Sequence, residues 1–284
     1  MKIRHPLQRR LVNIVMLILS SLSALIGIIA LAWILYDVIK IGGAALNLAL
    51  VTELPAPPGV EGGGLANALL GTAMMTFLAT VLGVPIGMLG GIYLAEFGRK
   101  NRFGAFIRFA TNVLMGIPSI IVGLFVYTIV VMPMGRFSGY AGAVALAIIM
   151  LPIVGRTTED MLNLVPNALR ESALALGAPR WRVTLGIVFR SAKVGLITGG
   201  LLAVARVSGE TAPLLFTALN SPFWPDSILS MDQPTANLTV TIFNYAMSPY
   251  VDWQRLAWGA SLLITAGVLT LIVIARLLSK EVKR

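Results

Sequence analysis

Long apolar runs without a single charge punctuate the chain. They cover Leu11–Tyr36, Gly62–Ala95, Phe109–Gly135, Phe137–Gly155 and Leu256–Ala275. A membrane-crossing helix needs about 20 apolar residues at about 1.5 Å each, so every run suffices for one span. The second run is longer than a span requires. Its Gly62-Gly63-Gly64 start reads as loop, and its helix is expected from Ala66. A sixth stretch, Val194–Leu219, is apolar except for Arg206 and Glu210, and it also reads as a span. The first run is too long for the apolar core of a signal peptide, and it lacks a convincing small-x-small cleavage site before Asp37. It reads as a retained helix.

Six spans place both termini on one side of the membrane. The positive-inside rule selects that side. Eighteen of the 22 Lys and Arg residues fall on the side of the termini: Lys2, Arg4, Arg9 and Arg10; the cluster Arg99–Arg108; six between Arg156 and Lys193; and Arg276, Lys280, Lys283 and Arg284. Only Lys40, Arg136 and Arg255 fall opposite, and Arg206 lies within a span. Both termini are therefore expected in the cytoplasm. On the external side lie Asp37–Leu65, Met132–Tyr140 and Asn220–Arg255, the first carrying Pro55-Ala56-Pro57-Pro58. Trp33, Tyr36, Trp253 and Trp258 fall near external span ends and read as an aromatic belt.

Composition agrees with this pattern. The chain of 284 residues is 57% hydrophobic and 12% charged, with mean hydropathy +0.86. Soluble domains carry about 25% charged residues. The predicted class is all-α, a polytopic membrane protein with helical spans. The net charge of +10 follows from topology and does not require a nucleic-acid partner. There is no cysteine, and the one histidine, His5, lies in the N-terminal tail. A metal centre built on His or Cys is excluded.

The informative polar segment runs from about 156 to 193. Leu169, Ala173 and Leu176 recur at helical spacing. Pro166 suits an early helical turn, Gly177 suits a left-handed helix end, and Pro179 suits the start of a second helix. The segment reads as helix, tight turn, helix. Periodicity alone leaves two readings open: a loop that returns the chain to the membrane, or a docking element for a cytoplasmic partner.

Glu171-Ser172-Ala173, three residues, Gly177, nine residues and Ile187 resemble the EAA loop of bacterial ABC importer permeases. Ser172 replaces the family's first alanine, and Phe189-Arg190 stands where Leu-Pro is expected. Further segments resemble the phosphate permeases of this family, the PstA-like branch. They are Gly91–Glu96, Gly116–Gly123, Leu151–Glu159, Ala205–Thr217 and Thr241–Pro249. The resemblance implies the type I importer permease fold. Residues 61–277 would form the transport core, after a first segment of 1–60 and before a cytoplasmic tail of 278–284. It implies a permease of the bacterial inner membrane that moves inorganic phosphate. Its partners would be a homologous permease (PstC-like), two copies of an ATPase (PstB-like) and a periplasmic phosphate-binding protein (PstS-like). Glu171, Ser172, Ala173, Gly177 and Ala178 would form the coupling element that docks on the ATPase.

The chain itself is not expected to be an enzyme. A Walker A loop requires Gly-Lys followed by Ser or Thr, and no Gly-Lys dipeptide occurs. No cofactor is expected in this chain; ATP and Mg would bind the partner ATPase. Permeases for molybdate or sulfate are the alternatives within the class. A gradient-driven transporter would need no EAA hairpin and would show inverted repeats.

The candidate pathway residues are Arg206, Glu210 and Thr211. Intramembrane charges are costly and usually functional. Arg206 and Glu210 are spaced i, i+4 and are expected on one helix face. Arg offers a planar fork of donors suited to an oxyanion. Mutual neutralisation is the structural alternative. Ser208 and Thr217 rank below them, because membrane hydroxyls usually bond to their own helix. Pro213 is expected to kink this helix, Gly199, Gly200 and Gly209 to allow close packing, and Glu96, Glu159 and Asp160 to be interfacial.

Overall fold

The computed structural model describes residues 6–225 and 230–280. Lys2, Arg4, His5, Lys283 and Arg284, used in the charge argument, lie outside them. Among the described residues there are helices and loops, one isolated antiparallel bridge between Pro55 and Gly63, and no strand.

Five helices are long and apolar enough to cross a membrane. They are α1 (Pro6–Ala44), α3 (Ala66–Glu96), α6 (Gly139–Asn163), α8 (Arg180–Val207) and α11 (Val251–Lys280). The expected start of α3 at Ala66 holds. Helix α1 continues eight residues beyond Tyr36, and a short α2 (Leu48–Thr52) follows, so the expected external loop 37–65 is partly helical. The Lys40 ammonium lies over the Tyr36 ring, 5.4 Å from its centroid.

The expected span Phe109–Gly135 is not one helix. Helix α4 (Arg102–Gly116) and helix α5 (Ser119–Met134) meet at 103°. The break has a local cause. Pro118 disfavours the helical region for its predecessor, and Ile117 is extended, at φ −76° and ψ 130°. Asn101 caps α4 by accepting from the Gly104 N–H at 2.6 Å.

The centre of the molecule is the pair α3 and α6. Gly83, Gly87 and Gly91 recur every fourth residue on α3 and face Met150, Val154 and Gly155 on α6. A methyl group on Gly91 would lie 2.5 Å from the Gly155 carbonyl oxygen. Small residues at this spacing let two membrane helices approach through backbone contact, where lipid supplies no hydrophobic drive. Met75, Leu146, Met150, Ala203 and Val207 complete the core on the α8 side.

Among the described residues, helix α1 packs mainly along α11 and is otherwise largely exposed. Its bare apolar surface is what lipid would cover. The expected aromatic belt is divided. Trp33, Tyr36 and Trp258 are exposed to differing degrees. Trp253 instead stacks on Tyr245 at 4.4 Å and donates from Nε1 to the Ala56 carbonyl at 3.3 Å.

Candidate functional site

The expected span Val194–Leu219 is broken. Helix α8 begins at Arg180, earlier than expected, and ends at Val207. Residues 208–211 are non-helical, and a short α9 (Ala212–Leu215) follows. Arg206 therefore occupies the last turn of α8 while Glu210 lies in the break, and the expectation of a shared helix face is corrected. The break precedes Pro213, which sits in the first turn of α9, where its missing N–H costs little.

The break stays well bonded. Ser208 Oγ donates to Ala205 O at 2.9 Å and Thr217 Oγ1 to Pro213 O at 2.8 Å, so both hydroxyls serve their own backbone. Thr239, at the start of α10 (Leu238–Ala246), donates to Glu210 O at 2.9 Å. Asn237 caps α10 and donates to the carbonyl of Leu219, a residue at φ +58°. Gly123 of α5 lets Pro213 approach, since a methyl there would meet the Pro213 Cα at 2.6 Å.

Arg206 and Glu210 line a cavity of about 360 Å³ with Ile117, Pro118, Ser119 and Pro152. Two helix interruptions thus converge, the α4–α5 bend and the α8–α9 break, beside Pro152 within the unbroken α6. Arg206 Nη2 lies 3.7 Å from Glu210 Oε1, with side chains 65% and 15% exposed. Arg206 is thirteen residues beyond Lys193, about 20 Å along a helix, well inside a hydrocarbon core of about 30 Å. Thr211 is not among the cavity-lining residues; its carbonyl accepts from the Leu214 N–H in α9. Of the small residues expected to aid packing, Gly199 meets Thr157 closely, while Gly200 and Gly209 make no tight approach.

The hairpin after α6 forms as expected. Helix α7 (Asn167–Ala175) follows Pro166 and ends in a left-handed Gly177, φ +81°. Gly177 N–H donates to Leu174 O and Ala178 N–H to Ala173 O, the paired closure that satisfies a helix's last carbonyls. Only Ala173 of the expected coupling residues is buried; Glu171, Ser172 and Gly177 are exposed and Ala178 is half-buried. Leu169 and Leu176 do not join Ala173 inside. They are 45% and 89% exposed, and with Leu174 and Trp181 they leave an apolar surface around the turn.

Two buried ion pairs beside this hairpin were not legible in the sequence. Glu159 is 6% exposed and accepts from Arg108 Nε at 2.6 Å; Arg108 also donates to Leu94 O and Gly98 O. Glu96 accepts from Arg170 at 2.9 Å, both side chains being 11% exposed. Asp160 is half-exposed and paired with Arg156, so each of the three carboxylates expected at the interface has an arginine partner.

At the far end of α3 lies a cavity of about 630 Å³ lined by Pro57, Asn67, Asn220, Thr241, Tyr245 and Trp253 among others, with no charged side chain. Asn67 donates to Ser221 O at 2.7 Å. Burial pushes the Tyr245 phenol up to about 12, so it stays neutral.

Comparison with known proteins follows this geometry. Residues 83–284 match the model of the family described as binding-protein-dependent transport system inner membrane component. The chain is 50% identical to the phosphate transport system permease protein PstA of Yersinia pestis, over 97% of this chain and 92% of that protein. It is 50% identical to PstA of Haemophilus influenzae, covering 97% and 96%. A probable PstA of Methanocaldococcus jannaschii is 34% identical, covering 98% of each. A chain of the MetNI methionine ABC transporter, in an inward-facing crystal form, superposes with TM-score 0.62 at 18% identity, over 78% of this chain and 96% of that one. That likeness bears on the fold alone.

Proposed function

The chain belongs to the binding-protein-dependent transport system inner membrane components and, within them, to the PstA phosphate transport permeases; from that premise we propose how it moves its substrate. It is the membrane-spanning permease subunit of an ATP-driven importer of inorganic phosphate. Full-length identity to phosphate permeases supports phosphate over molybdate or sulfate.

One observation carries the mechanism: Arg206 is 65% exposed at a depth where lipid would otherwise surround it. An uncovered guanidinium there costs about 2.5–3.5 kcal/mol on insertion scales. A homologous second permease (PstC-like) covers this face, and the phosphate path runs between the two chains past the cavity. Arg206 offers donors to the passing oxyanion, and Glu210 takes the guanidinium back when the anion leaves. Thr211 stays in the proposal only as a residue of the break that orients Glu210.

The hairpin supplies the coupling. Glu171, Ser172, Ala173, Gly177 and Ala178 dock on one of two ATPase subunits (PstB-like). ATP and Mg bind there, in keeping with the missing Gly-Lys dipeptide. A periplasmic binding protein (PstS-like) delivers phosphate at the opposite end. The excess of basic residues supports a cytoplasmic position for both termini, with residues 61–277 as the transport core.

The test is phosphate uptake in cells lacking this chain, complemented with wild type or Arg206→Gln at equal membrane abundance. Wild type should restore uptake and Arg206→Gln should not. Restoration by both removes Arg206 from the path. Restoration by neither, where no redundant importer operates, rejects phosphate.

A further inference from the structure

Three helix ends meet at one guanidinium. Arg170 lies on α7, the helix that faces the proposed ATPase. Its Nε and Nη2 donate to Glu96 Oε1 at 3.1 and 2.9 Å, and Glu96 is the last residue of α3. Nη2 also donates to Leu162 O at 2.6 Å, and Nη1 to Val165 O, at the end of α6. The last carbonyls of a helix have no partner within it and need donors from outside. Arg170 adds a donor to Leu162 O in the last turn of α6 and to Val165 O just beyond it, while its charge holds the end of α3. The guanidinium's five N–H donors in a fixed fork reach the Glu96 carboxylate and both carbonyls together.

We propose that Arg170 is the positioning residue that makes α7, α3 and α6 move as one body, so that displacement of α7 by the ATPase reaches the substrate cavity. This rests on the reading of the hairpin as the ATPase coupling element. The chain of contact is short. Helix α6 carries Pro152 in the cavity wall, and α3 is locked to α6 by the glycine seam. Besides Arg170, Ala173 joins α7 to an apolar cluster with Val165, Val183 and Val188. The Arg108–Glu159 pair nearby ties α4 to α6 and does not touch α7, so the two pairs separate stability from coupling.

The experiment uses the complete importer in proteoliposomes and measures ATP hydrolysed per phosphate taken up. Arg170→Gln should keep assembly and basal ATP hydrolysis but raise ATP per phosphate about tenfold or more, as misplacement remote from chemistry can. Arg170→Lys, with charge but no fork, should be intermediate. Glu96→Gln keeps an acceptor oxygen but removes the charge that Arg170 pairs with, and should also be intermediate. If Arg170→Gln assembles poorly, spin labels at Ala175→Cys and Lys100→Cys in an otherwise cysteine-free chain give a second readout. Their distance should stay fixed between nucleotide states with Arg170 and spread with Arg170→Lys.

Wild-type ATP per phosphate in assembled Arg170→Gln overturns the inference. So does a loss of uptake strictly proportional to lost complex, or an unchanged label distance in Arg170→Lys. Absence of any ATP-driven phosphate uptake by wild type overturns the parent reading, and this one with it.

Discussion

The Thr239 hydroxyl donates to the main-chain carbonyl of Glu210 at 2.9 Å, joining two segments separated by 28 intervening positions. Thr239 is 7% exposed. The bond adds a long-range tie to Glu210, the residue that faces Arg206, and the Glu210 N–H already donates to Val207 O at 3.1 Å within the break. Rigid support of this kind keeps a charged group in one place in a low-dielectric site.

Replacing Thr239 with Val keeps the shape and removes the donor. A buried carbonyl left without a partner costs about 1–3 kcal/mol. Thr239→Val should lower the melting temperature of the purified protein and reduce phosphate uptake several-fold more than it reduces abundance. Thr239→Ser, which retains the hydroxyl, should behave as wild type. Uptake falling only with abundance would restrict the bond to stability.

A second expectation concerns Arg108 and Glu159. Removing Arg108 leaves a carboxylate that is 6% exposed without its partner. Breaking a buried pair from one side costs about 3–5 kcal/mol. Arg108→Gln should be strongly destabilised in thermal unfolding, and Arg108→Gln with Glu159→Gln should recover most of the loss. If the double variant is no better than the single, the carbonyl contacts to Leu94 and Gly98 dominate instead.

What the sequence made legible, and what it did not, divides along physical lines. The long spans were plain because lipid solvation demands runs of apolar residues, and Ala66 was plain because three glycines precede it. The EAA hairpin was plain because its turn depends on one left-handed position, Gly177. The α4–α5 bend was missed although Pro118 announced it, because hydropathy does not fall at a proline. Arg206 and Glu210 were found but misplaced, since i, i+4 spacing implies a face only while the helix lasts. Glu96 and Glu159 meet arginines 74 and 51 residues away, and nothing local encodes such a pairing.

The hairpin turn gives a third prediction. Space around Gly177 is open, so any penalty for a side chain there comes from its φ of +81°. For an L-residue in the left-handed region that is about 1–2 kcal/mol. Gly177→Ala should weaken copurification of the ATPase modestly, and β-branched Gly177→Val more strongly, while Gly177→Asn should come nearest to wild type. Equal behaviour of Ala, Val and Asn would mean the left-handed turn is not what the ATPase recognises.

The last prediction separates the two roles open to the membrane pair. Glu210 is 15% exposed and Arg206 65% exposed, and 3.7 Å between their charged atoms is a loose pairing. A loose pair suits a counter-ion that must yield to a passing oxyanion, because a translocation site has to release as well as bind. Glu210→Gln should then leave phosphate held too long at Arg206, lowering maximal uptake about tenfold with assembly intact. If the pair served only to neutralise two charges in lipid, removing both should be tolerated, as buried pairs replaced together often are. Arg206→Gln with Glu210→Gln is therefore the decisive variant. A pathway role requires the double variant to assemble and remain unable to take up phosphate, whereas recovered uptake would make the pair a structural tie and place the anion's route elsewhere in the cavity.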